Sequence, residues 1–176
     1  MDIHYLNYRD YLSVEEIEAI EHEVTIMGRR HAAGIEALKL VQKNRGWISD
    51  ESLYAIADLL QMSASQLEGI ATFYNLIYRQ PVGRYVIHIC DSISCYLTGY
   101  QAVSNAIKDH LGIDYGQTTD DGMFTLLTNA CLGSCDKAPA MKIGEDHFEQ
   151  LTPQSACEIL QQLQQELPKD TPNPRE

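Results

Sequence analysis

Two cysteine pairs are the residues of this chain best suited to chemistry. The first is Cys90-Asp-Ser-Ile-Ser-Cys95; the second, after thirty-five intervening residues, is Cys131-Leu-Gly-Ser-Cys135. Each pair follows a strand-like run, residues 84–89 for the first and 123–127 for the second. If those strands are neighbours, the loops leaving them bring four thiols to one place. Four converging thiolates ask for a metal centre.

Three centres compete for such a quartet. Disulfides suit an oxidising compartment, but the opening Met-Asp-Ile-His is not a basic segment leading into an apolar one. The five cysteines also make an odd total, a poor fit to a disulfide framework. Zinc takes four cysteines on loops of similar spacing, although a chain of 176 residues should not need a structural staple. Iron–sulfur clusters of the [2Fe–2S] and [4Fe–4S] types both accept four thiolates. Neither the C-x2-C-x2-C run of four-iron ferredoxins nor the plant-type C-x4-C-x2-C spacing is present.

Further motifs do accompany the quartet. C-x4-C is followed far downstream by Cys131-Leu-Gly-Ser-Cys135-Asp-Lys-Ala-Pro139. Upstream stand Ile35-Glu-Ala-Leu-Lys-Leu-Val-Gln-Lys43, Arg45-Gly-Trp-Ile48, Glu68-Gly-Ile-Ala-Thr-Phe-Tyr74 and Arg79-Gln-Pro-Val-Gly-Arg84. On these residues the chain resembles the thioredoxin-like [2Fe–2S] ferredoxins, and within them the family of E subunits of bacterial NADH:quinone oxidoreductase, respiratory complex I. The resemblance runs from about residue 13 to about residue 167. It implies one [2Fe–2S] cluster on Cys90, Cys95, Cys131 and Cys135, with no departure at those positions. It also implies two partners: a flavin- and NADH-binding subunit carrying FMN, and the large iron–sulfur subunit of the same complex. The chain would take single electrons from that flavin, beside the main path to quinone. A similar subunit serves NAD-linked hydrogenases and formate dehydrogenases, so the diaphorase part of such a complex is the alternative.

The elements that must position the quartet follow from periodicity and caps. Ser13 with Glu16 makes a capping box, and Val14, Ile17, Ile20, Val24 and Met27 follow at helical spacing. A second helix spans about 33–44, closed by Gly46. A third covers about 50–60, with Leu53, Ile56, Ala57 and Leu60 on its apolar face. Ser63 with Gln66 caps a fourth, carrying Leu67, Ile70, Ala71, Tyr74 and Ile77. Short turns between four short helices predict a small bundle. Arg79-Gln-Pro-Val-Gly83 breaks the pattern and marks a domain boundary.

Beyond it the character changes. Strand 84–89 leads to a helix over 99–111, capped by Thr98 with Gln101 and ended by Gly112. Asp121-Gly122 turns into strand 123–127. Short strands are expected at 140–143 and 147–151, and a last helix starts at Thr152-Pro153 with proline in its first position. The expected architecture is α/β: an N-terminal small helical bundle (13–80), then a thioredoxin-like α/β domain with the [2Fe–2S] site (81–167). An irregular arm (1–12) and a disordered tail (168–176) flank them. The order of elements is α/β in type; the thioredoxin-like sheet is what the resemblance implies.

Other candidates have plainer readings. Cys157 lies inside the last helix and is read as a packing residue. His88 is read as a strand histidine, since a Rieske-type exchange needs two histidines. Asp91 and Asp136 each follow a cysteine and are read as solvent-facing or turn-capping. Trp47 and residues 71–74 are read as core, with partner surface as the alternative. The amides of 92–94 and 132–134, and the helix start at 98–99, are expected to aim positive ends at the sulfurs.

Composition bounds the rest. A formal charge of −12 opposes binding to a phosphate backbone, so no nucleic acid is expected. No apolar run approaches the ~20 residues of a membrane span, so no direct insertion is expected; the resemblance implies a peripheral position on the cytoplasmic side of the inner membrane, through the complex. Neither a Gly-x-Gly-x-x-Gly run after a strand nor a Walker loop is present, so no NAD, FMN or quinone site is expected in this chain. The resemblance implies that it takes part in an oxidoreductase without reacting alone. A zinc-stapled interaction module is the rival from another class. A thiol–disulfide oxidoreductase lacks its C-x-x-C motif here.

Overall fold

The structure, a computed structural model, describes residues 7–165. The leading part of the expected arm, Leu167 of the last helix and the expected tail lie outside the described residues. The chain divides into two compact units after Pro81.

Among the described residues, the first unit holds four α-helices: α1 (Val14–Met27), α2 (Gly34–Arg45), α3 (Asp50–Leu60) and α4 (Ala64–Phe73). Local chemistry starts them. Ser13 and Glu16 form the expected capping box on α1, as do Ser63 and Gln66 on α4. The apolar stripes meet in one core that includes Ile20, Leu38, Val41, Ile48, Ile56, Leu60 and Leu67, all fully buried. One buried acid is held inside it. Glu16, 4% exposed, takes the Arg45 guanidinium at 2.5 Å. Arg45 also donates to the Tyr11 carbonyl and the Ser52 hydroxyl. Burial alone would raise the Glu16 pKa; bonds from Arg45 and the Ser13 amide outweigh it, and the net shift is down.

Three expectations change here. Helix α4 stops at Phe73, because Tyr74 turns to an extended backbone; Ile77 reaches the core from the following turn instead. Phe73 and Tyr74 are not core: Phe73 is 80% exposed and Tyr74 also faces out, while Trp47 is half-buried. Within the stretch read as an irregular arm, Tyr8–Asp10 forms a single 3-10 turn and Leu12 is buried.

The second unit is an α/β sandwich around a four-stranded sheet, order β2-β1-β3-β4. Its strands are β1 (Tyr85–Cys90), β2 (Phe124–Asn129), β3 (Met141–Ile143) and β4 (Asp146–Phe148). β1 and β2 run parallel, so a crossover must join them. Helices α5 (Ile93–Leu97) and α6 (Tyr100–Leu111) supply it. β3 pairs antiparallel with β1, and β4 with β3. Helix α7 (Pro153–Gln165) packs beside α6, and the two share a core with the sheet through Val103, Ile107, Ala156 and Leu160. Gly83 enters β1 under Phe124, where an added Cβ would lie 2.9 Å from the Phe124 carbonyl carbon; no larger residue fits unless the backbone moves.

Two expected features differ in this unit. Thr98 does not cap α6. It closes α5, a helix not foreseen, and its hydroxyl donates to the Ser94 carbonyl at 2.9 Å, leaving Gly99 to begin α6 without a side-chain cap. The strand expected at 147–151 ends at Phe148. Gln150 adopts a left-handed backbone, φ 51°, and its segment bonds back to residues 137 and 139.

Candidate metal centre

The parallel pairing of β1 and β2 sets the site. Cys90 is the last residue of β1 and stands opposite Asn129, the last of β2. The ladder continues one step, with the Asp91 amide donating to the Asn129 carbonyl at 3.1 Å. Both cysteine loops therefore leave the same end of the sheet, the carboxyl end where open α/β sheets commonly hold ligands.

The two loops present their thiols differently. Cys90 is 2% exposed, and its amide is tied to the Ala140 carbonyl on the far side of β1. Cys95 lies inside α5 and is equally buried. Cys131 and Cys135 are exposed, and Cys135 opens a 3-10 turn over Cys135–Lys137. Their sulfurs are 3.8 Å apart. Gly133 bends the loop with φ +88°, a conformation that disfavours side chains, and turns its amide onto the Cys131 sulfur at 3.4 Å. That is one of the amide contacts expected for residues 132–134.

The thiols perturb one another. Cys95 is pushed up to about 11, by burial first and by the Cys90 thiol next, with Cys135 adding a smaller push. The Ala140 amide donates to its sulfur and opposes the rise. Cys135 is pushed up by the Cys131 thiol above all, with Cys90 contributing, while a hydrogen bond from Ser94 opposes it. Each pair thus feels the other. Both shifts favour the protonated thiols of Cys95 and Cys135; a bound metal would displace those protons.

The spacing can be tested against a metal. A tetrahedral centre with metal–sulfur bonds of ~2.3 Å puts neighbouring sulfurs ~3.8 Å apart, which the Cys131–Cys135 pair matches. Cys90 and Cys95 are likewise within hydrogen-bonding reach of each other. Among the described residues, no three His, Cys, Asp or Glu side chains surround a single ion position. The thiols approach each other in pairs, Cys90 with Cys95 and Cys131 with Cys135, and a two-iron centre would take four such thiolates.

The remaining candidates stay outside the quartet. Cys157 is half-buried between α7 and α6, its thiol 3.6 Å from the Ala106 carbonyl, and burial raises its pKa. His88 is buried in β1, where burial, then Lys142, pushes it down to about 4 and keeps it neutral. Asp91 and Asp136 are both exposed. Three features escaped the sequence reading: the helix around Cys95, the Ala140 amide on its sulfur, and the outward Ile93, Tyr96 and Leu97 beside it. The apolar residues at 93, 96 and 97 are spaced as on one helix face, and that spacing was the available signal.

Comparison with known proteins places the chain among relatives. The family model of the thioredoxin-like [2Fe-2S] ferredoxins matches residues 17–164. The E subunit of the NADH-quinone oxidoreductase of Salmonella typhimurium is 55% identical over 150 residues, covering 85% of this chain and 90% of the relative. The protein of the same name from Pseudomonas aeruginosa is 49% identical over 153 residues, covering 87% and 92%. Among solved structures, an air-oxidised NAD+-reducing [NiFe]-hydrogenase superposes with a TM-score of 0.64 at 24% identity, over 74% of this chain and 23% of that one; it supports the fold alone. The 148 matched positions (164 − 17 + 1) are most of the chain, and the chain belongs to the thioredoxin-like [2Fe-2S] ferredoxin family.

Proposed function

We propose that this chain is the [2Fe–2S] electron-transfer subunit of an NADH:quinone oxidoreductase, with Cys90, Cys95, Cys131 and Cys135 as its ligands. The observation that carries the reading is the delivery of two cysteine pairs to one sheet end by the parallel β1–β2 register. The match of residues 17–164 to the thioredoxin-like [2Fe-2S] ferredoxin family supports two irons over one zinc.

When bound, the cluster supplies a store for one electron. The residues around it have separable tasks. Cys90 and Cys95 hold their side in a dry environment, where a ligand is shielded from exchange with water. Cys131 and Cys135 hold the exposed side, where a donor could approach closely. The Gly133 and Ala140 amides place partial positive charge at two sulfurs and so favour the reduced state.

The donor in this reading is the FMN of a subunit that also binds NADH, and the large iron–sulfur subunit is the second neighbour. The outward Ile93, Tyr96 and Leu97 beside the quartet, and Phe73 and Tyr74 on the first unit, support protein partners at both places. No helix among the described residues is long and apolar enough to cross a membrane. A peripheral position on the cytoplasmic side of the inner membrane, reached through the complex, is part of the proposal. The names of the 49–55% identical relatives favour the quinone-linked complex over the diaphorase of a hydrogenase or formate dehydrogenase.

Iron and acid-labile sulfide analysis with EPR of the dithionite-reduced chain tests this reading. Equal iron and sulfide with a rhombic signal is expected. A colourless protein carrying zinc would overturn it.

A further inference from the structure

The loop that carries Cys131 and Cys135 is fastened from outside by the segment following β4. The Lys137 amide donates to the Ser134 carbonyl at 3.1 Å and closes the turn at Cys135. The Gln150 amide donates to the Lys137 carbonyl at 2.7 Å, and the Leu151 amide to the Pro139 carbonyl at 3.0 Å. These bonds set Glu149 against the loop. Its carboxylate meets the Lys137 ammonium at 2.9 Å and accepts a hydrogen bond from Ser134. Ser134 precedes Cys135 and Lys137 follows it by two. One acid therefore grips the chain on both sides of a thiol.

We propose that Lys137 and Glu149 form a charge-balanced clasp in which each charge offsets the other's pull on the reduction potential of the centre held by this loop. The inference rests on the reading of the four cysteines as cluster ligands. Reduction adds a negative charge to the site. An ammonium two residues from Cys135 favours that charge and a carboxylate opposes it; paired, they nearly cancel. Two further groups act on the pair: Asp136 on Lys137, and His147 on Glu149. The pair is partly solvent-exposed, at 52% and 29%, so water and salt screen it and each charge has a modest effect.

The test uses the full chain with its cluster, in Lys137→Met, Glu149→Gln and the double variant. Glutamine keeps an oxygen for the Ser134 hydroxyl. In EPR-monitored redox titrations, Lys137→Met should shift the potential down and Glu149→Gln should shift it up. At a fixed poise each changes the reduced-to-oxidised ratio by about two- to fivefold. The double variant should return close to the starting value, Lys137→Arg should stay there, and added salt should shrink both single shifts. Shifts of the same sign, or none with iron and sulfide intact, would reduce the clasp to a structural tie and overturn the proposal. Loss of the underlying reading looks different: the unsubstituted chain would then bind no iron and sulfide.

Discussion

The four-helix unit is started by contacts three residues apart, while the cysteine site is assembled by contacts that cross the sheet. Ser13–Glu16, Ser49–Ser52 and Ser63–Gln66 each cap a helix within one turn. Cys90, by contrast, is fixed by the carbonyl of Ala140, and Asp91 by that of Asn129. The first unit's polar anchor, Glu16–Arg45, serves packing. In the second unit, the Ala140 and Gly133 amides end on sulfur, and the Lys137–Glu149 pair ends on a loop that carries it. Variants in the two units should therefore be read by different instruments: melting for the helices, EPR and potential for the site.

The largest effect is expected at the buried thiols. Cys90→Ala or Cys95→Ala removes a proposed ligand from a buried position, and the reduced EPR signal should vanish. Cys135→Ser is milder. Its oxygen sits where solvent can assist ligation, so an altered signal at reduced yield is expected. Equal loss at Cys95→Ser and Cys135→Ser would show that burial does not distinguish the pairs.

Next comes Glu16. Replacing it by Gln strands a partly buried Arg45, at a cost of roughly 2–3 kcal/mol. Because the Glu16 pKa is lowered from 4.5 in the fold, its charge adds stability above pH 4.5. That stability fades as pH falls through the lowered folded value. Denaturant unfolding at pH 7 and below pH 4 should show the Gln variant losing less on acidification than the parent. The EPR signal of folded protein should not change; a shifted signal would break the separation between the units.

The same contrast explains what could be read from the chain. The third helix begins at Asp50 and ends at Leu60 as expected, because an apolar stripe defines it within a few residues. Both capping boxes of the first unit are present for the same reason. The box assigned to Thr98 and Gln101 failed because its pattern is short and α5 claims Thr98 first. At the site, cysteine types and spacing were visible, and convergence was expected only on the condition that the two strands are neighbours; their parallel register came from the structure. The Ala140 amide and the Glu149 carboxylate were not visible. They arrive from segments whose closeness depends on sheet pairing, and no local pattern encodes that. Phe73 and Tyr74 were misread because helical spacing places residues on a face without saying what that face meets.

Gly133→Ala should have an intermediate effect. Nothing lies within 4 Å of the added Cβ, so the penalty is conformational, about 1–2 kcal/mol for the left-handed backbone. If the loop relaxes to escape it, the amide leaves the Cys131 sulfur. The potential should then fall, with melting of the helical unit unmoved. An unchanged potential would mean that this amide does not tune the site.

The smallest effect is expected at Cys157. Its thiol touches the Ala106 carbonyl at 3.6 Å, a weak contact between α7 and α6, and it is half-buried. Cys157→Ala removes one sulfur from that seam and should cost under about 1 kcal/mol. Visible and EPR spectra should match the parent, because the quartet is complete without it. This variant also separates stability from ligation inside the second unit, which the other variants do not. If its spectrum changed while melting held, the fifth cysteine would be reaching the centre, and the four-cysteine assignment would have to be redrawn around it.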